Sequence, residues 1–136
     1  MRHPLHPMLV HFPIACWSLA TAADFATLVF DMPLWQWSAG LIAVGCLVSL
    51  PAMIAGFYEF SRIAEGPALR DGYWHMGLMS VAFLLFVTRL LLRMDHMQAT
   101  PPNAVSGVLM ASGFVVLALG GWLGGRLVYG HGVGRH

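Results

Sequence analysis

The sequence predicts an all-α integral membrane protein folded as an up-down four-helix bundle. Three observations carry that expectation. Of the 136 residues, 58% are apolar, only 10% are charged and none is lysine, whereas a water-soluble domain carries about 25% charged residues. The apolar residues gather into four stretches, each long enough at about 1.5 Å per residue to cross about 30 Å of hydrocarbon. The polar breaks between them are short, which forces neighbouring helices to run antiparallel. A net charge of +1, with no P-loop, zinc-finger spacing or interleaved basic and aromatic residues, leaves nucleic acid and nucleotides without a basis as partners.

The spans fall at residues 8–30, 35–57, 73–94 and 104–128 of a single domain. In the first, Ala20-Thr21-Ala22 imitates a signal-peptide cleavage site, but His11 and Pro13 interrupt the apolar run, which continues to Phe30. It is therefore read as a retained span. Pro51 predicts a kink in the second. Gly107, Ala111, Phe114, Ala118, Gly121 and Gly125 recur at helical spacing on the fourth and predict the face packed against the bundle. A second set, Gly113, Gly120 and Gly124, thins that helix on another side and leaves room for a partner helix, a subunit in a helix-mediated oligomer, or a flat cofactor. Arg2, Arg62, Arg70, Arg126 and Arg135 lie on the face that bears both termini. By the positive-inside rule both ends are cytoplasmic, in a multi-pass protein of the bacterial inner membrane.

Loops this short hold no soluble catalytic domain, so any site lies in the bundle or at its ends, and histidine is its obvious ingredient. Six of the seven histidines, all but His96, map to the terminus-bearing side. His11 and His75, on the first and third spans, sit at similar depth when counted from residues 8 and 73. Imidazoles facing each other across the diagonal of an apolar bundle suit a b-type haem. Arg62, Arg70 or Arg126 would meet its propionates. That arrangement predicts an electron-transfer protein working in the lipid bilayer with a quinone or a redox partner protein. Tyr73, Trp74 and His75 offer an interfacial place for the quinone. Two other classes compete. One is a cofactor-free structural or assembly subunit docking helices on its glycine faces. The other is a transition-metal carrier using the amino end, where His3, His6 and His11 would join His75 as ligands.

Around His11 the prolines predict irregular backbone: either Pro7 opens the helix and Pro13 breaks it, or the regular helix begins near His11 with Pro13 in its first turn. Asp24 and Arg89 lie at matching depth on the first and third spans and form a candidate ion pair. His75, Met79, Ala82, Phe86, Arg89 and Arg93 share one stripe. His11 and Asp24, thirteen residues apart, fall about 220° apart on a regular helix.

Over nearly its whole length the chain resembles a family of small predicted membrane proteins, domain of unknown function 2231. The resemblance rests on His3-Pro4-Leu5-His6-Pro7, on Val10-His11-Phe12-Pro13, on His75 opening the third helix, and on the closing run Gly124-Gly125-Arg126-Leu127-Val128-Tyr129-Gly130-His131-Gly132-Val133. It implies a four-helix membrane fold, and the company of cytochrome-type domains in that family implies an electron-transfer setting. Arg126 and Glu59 depart from the family pattern, which the resemblance gives as acidic and aspartate respectively.

Overall fold

In hydrocarbon, backbone N–H and C=O groups find partners only in their own chain, so each apolar stretch folds as a helix. The computed structural model describes residues 5–134; of the candidate ligands named above, His3 lies outside the described residues. Among those residues four helical spans are long and apolar enough to cross a membrane, and the protein is a four-helix membrane bundle.

The first span is built from α1 (Leu5–Leu9) and α2 (His11–Phe30). Val10 between them keeps helical dihedrals; its N–H bonds the carbonyl of His6, and its own carbonyl accepts from Ile14. The bond missing at this seam is the one Pro13 cannot donate to Leu9. The two pieces form one 26-residue span, so the helix begins earlier than the expected residue 8. Asp31 closes α2 in the left-handed region, φ 54°. The second span, α3 (Trp35–Phe60), runs helical through Pro51.

The third span, α4 (Pro67–Leu92), starts six residues before the expected boundary. Arg70 and Asp71 suggested a loop, but Gly66 at φ 147° followed by Pro67 at the first helical position is a start signal. A tight hairpin of β1 (Met94–Asp95) and β2 (Gln98–Ala99) leads to α5 (Ala104–Gly125). There Asn103 and Ser106 exchange hydrogen bonds in a capping box. The chain then widens into a π-helical turn, Arg126–Gly130.

Two antiparallel hairpins, α2–α3 and α4–α5, pack on one another. Trp17 stacks on Phe86 at 4.6 Å between ring centres and 5° between planes. Gly45 receives Trp17 and Gly113 receives Phe86: a Cβ would stand 2.6 Å and 3.3 Å from the respective rings. This corrects the expected packing face of α5. Its buried positions are Ser106, Gly113, Leu117 and Gly120. The Ala111, Phe114 and Gly121 face is turned outward, because the large residues of α4 need the glycines on the other side.

Candidate functional site: a histidine pair over an apolar cavity

At the end of the bundle that holds Leu5 and the closing motif, His6 on α1 and His75 on α4 approach each other. Their ring centres are 6.1 Å apart and their planes cross at 80°. Each Nδ1 lies 2.8 Å from a backbone carbonyl, Ala52 on α3 for His6 and Gly120 on α5 for His75. A carbonyl only accepts, so both Nδ1 atoms carry the proton, and the lone pair of each ring is on Nε2. Four residues beyond each accepting carbonyl stands a glycine. A Cβ at Gly56 would come within 2.7 Å of His6 Nδ1, and one at Gly124 within 2.9 Å of His75 Cε1. Those glycines make the grooves in which the rings lie. Glu59 accepts from the His6 backbone N–H at 3.1 Å and so ties the start of α1 to the end of α3.

The two imidazoles line a cavity of about 630 Å³, bounded by all four spans and mostly by apolar side chains. Trp17, stacked on Phe86, lines it from within the bundle. Tyr129 and Val133, brought over by the π-helical turn, line its outer end. That turn is held by Asp71, whose carboxylate accepts from Arg126 at 2.8 Å and contacts His131 Nε2 at 2.9 Å.

Several expected site residues lie elsewhere. The partner of His75 is His6 and not His11, which is exposed on the outer surface of α2 at the edge of the same cavity. The cause is the earlier helix start: counted from Leu5, His6 matches the depth of His75. None of the three arginines expected at the propionates lines the cavity. Arg62 covers the Tyr58 ring and bonds its hydroxyl, Arg126 is engaged by Asp71 and Trp122, and Arg70 is exposed. Among the described residues no three His, Cys, Asp or Glu side chains cluster as metal ligands.

At the opposite end the candidate ion pair is present and larger than expected. Asp24 accepts from Arg89 and from Arg93, both at 2.5 Å, and from the hydroxyl of Ser38. These side chains are at most 2% exposed.

One regularity ties the two ends together. A shift of 69 residues carries His6 onto His75, Trp17 onto Phe86 and Asp24 onto Arg93; a shift of 68 carries Ser38 onto Ser106, Gly45 onto Gly113, Ala52 onto Gly120 and Gly56 onto Gly124. The hairpins therefore repeat each other's contacts about an approximate twofold axis along the bundle, and the histidine pair straddles it. This repeat was present in the sequence and would have selected His6.

Fold and site together define a multi-pass membrane protein whose two like hairpins enclose a histidine-lined apolar cavity. The chain belongs to the family of predicted membrane proteins DUF2231, whose profile matches residues 2–136. No curated protein and no solved structure matches it.

Proposed function

We propose that the protein binds one b-type haem between His6 and His75 and works as a one-electron carrier in the membrane. The observation that carries this reading is the spacing of the two rings. With a metal about 2.0 Å from each nitrogen and roughly 1.1 Å from nitrogen to ring centre, two imidazoles on opposite sides of one metal would have centres about 6 Å apart. The two rings stand 6.1 Å apart. Donation of Nδ1–H to a carbonyl is the outer-shell bond that orients a ligating histidine and raises its basicity. A bare ion has no need of a cavity near 630 Å³, and neither has a scaffold that only docks helices; a porphyrin has. Two histidine ligands leave no open position on the iron, which favours electron transfer over substrate activation. The excess of arginine at this end supports a cytoplasmic placement of the site in a bacterial inner membrane.

The test is spectroscopic. Protein expressed with a haem precursor should be red, with a low-spin Soret band, and its EPR signal should have the strong anisotropy that nearly perpendicular ligand planes produce. His6→Ala and His75→Ala should each abolish the low-spin spectrum, and His11→Ala should retain it. A low-spin spectrum that survives His6→Ala but is lost in His11→Ala would refute the assignment.

A further inference from the structure

The buried ion cluster at the end of the bundle away from the histidine pair does not balance its charge. Asp24 gives Oδ2 to both Arg89 and Arg93 and Oδ1 to the Ser38 hydroxyl. Arg93 is bonded at all three nitrogens: Nη1 to Asp24 and Ser38, Nη2 to the carbonyls of Trp35 and Thr100, Nε to that of Thr100. Arg89 is bonded through Nη2 alone, to Asp24 and the Ala20 carbonyl. Its Nε and Nη1 are buried with no hydrogen-bond partner among the described residues. The Phe86 ring, 5.6 Å away, offers a π face but no charge.

A guanidinium keeps its proton inside a protein. One carboxylate between two of them therefore leaves one positive charge over, out of water and with donors unused, and burial penalises both. The other five acids do not answer it. Asp31 and Asp95, in the connections at this end, are exposed, and neither pairs with Arg89 or Arg93 among the described residues. Glu59 and Asp71 are engaged at the histidine end, and Glu65 lies in the connection there. Residues 1–4 and 135–136 contain no aspartate or glutamate. A water molecule would meet the unused donors and leave the charge; an anion meets both. Burial sets its size, because Arg89 is 0% exposed and a headgroup phosphate or an organic carboxylate does not reach it. The way in from water is short: Arg89 lies one turn inside Arg93, which caps α4 and bonds the connection to α5 through Thr100. We infer that Arg89 holds a small inorganic anion of the halide class, entering from the aqueous side of the β1–β2 hairpin and completing the charge balance that Asp24 leaves open. The site is independent of the histidine pair and of any haem.

The experiment uses the whole protein in an uncharged detergent, with sodium gluconate replaced stepwise by sodium chloride at constant ionic strength. In equilibrium dialysis against radioactive chloride the wild type should retain one chloride per chain, displaced by bromide. Its melting temperature, read by tryptophan fluorescence, should rise saturably with chloride, as ligand linkage requires. Arg89→Leu should weaken chloride at least tenfold and abolish the rise, whereas Arg62→Leu and His6→Ala should keep both. Bromide-soaked crystals should show an anomalous peak beside Arg89 Nε or Nη1. Dialysis without saturable chloride, binding that survives Arg89→Leu, or water where the bromide is expected overturns the proposal.

Discussion

Replacing Asp24 by asparagine should be among the most damaging single changes in the molecule, and the network around it says by how much. Among the described residues the carboxylate is the one anion paired with both guanidinium groups, in a region where all three side chains are at most 2% exposed. Arg93 has other acceptors, the carbonyls of Trp35 and Thr100 at 3.0 and 3.1 Å. Arg89 has the Ala20 carbonyl at 3.3 Å and the Phe86 ring at 5.6 Å, and among the described residues its Nε and Nη1 have no hydrogen-bond partner. Asp24→Asn therefore strands Arg89 above all. Removing one partner of a buried ion pair costs about 3–5 kcal/mol, a large share of the 5–15 kcal/mol that holds a typical fold together. Arg89→Leu removes the poorly satisfied cation and leaves Asp24 paired one to one with Arg93, so it should cost less than about 1 kcal/mol. The double variant Asp24→Asn/Arg89→Leu should recover about half the loss. Unfolding in mixed micelles with increasing SDS, read by far-UV circular dichroism, measures all three. Equal destabilisation by Asp24→Asn and Arg89→Leu would refute the reasoning, because it would make the cluster a symmetric bond instead of an anion holding an excess of cations.

Other outcomes follow from single contacts. Gly124→Ala and Gly56→Ala should each push a histidine off its carbonyl and, if the proposed haem is bound, loosen its retention at least tenfold in a transfer assay to apomyoglobin, while circular dichroism shows the same helix content. Gly45→Ala should lower thermal stability more than Gly113→Ala, since the new methyl meets Trp17 at 2.6 Å and Phe86 at 3.3 Å; about 1–3 kcal/mol is the scale for such overpacking. Asn103→Ala should cost about 0.5–2 kcal/mol through the lost cap of α5 and leave the pigment spectrum unchanged.

The spans were legible because hydropathy is a property of composition, and composition needs no partner to be read. The starts of the first and third spans were not, because Pro7, Arg70 and Asp71 break the apolar pattern without breaking the helix. That error moved the expected partner of His75 from His6 to His11. With the first helix begun at residue 8, His11 matched His75; begun at Leu5, His6 does. The angular conflict between His11 and Asp24 pointed the same way. His6 and Asp24 are eighteen residues apart, five whole turns at 3.6 residues per turn, and both face inward while His11 faces lipid. The glycine faces of α5 could not be ranked from spacing alone. Which face turns inward depends on where α4 places Phe86, Met79 and His75, and that is a property of two helices together.

The repeat also has a consequence for biogenesis. Each hairpin brings one imidazole and half of the chamber walls, so the amino-terminal half leaves the insertion machinery holding an incomplete grip. For the haem proposed above, loading would be a late event, completed when the second hairpin docks, and two separately translated halves that meet in the same bilayer should then colour where either one alone stays pale.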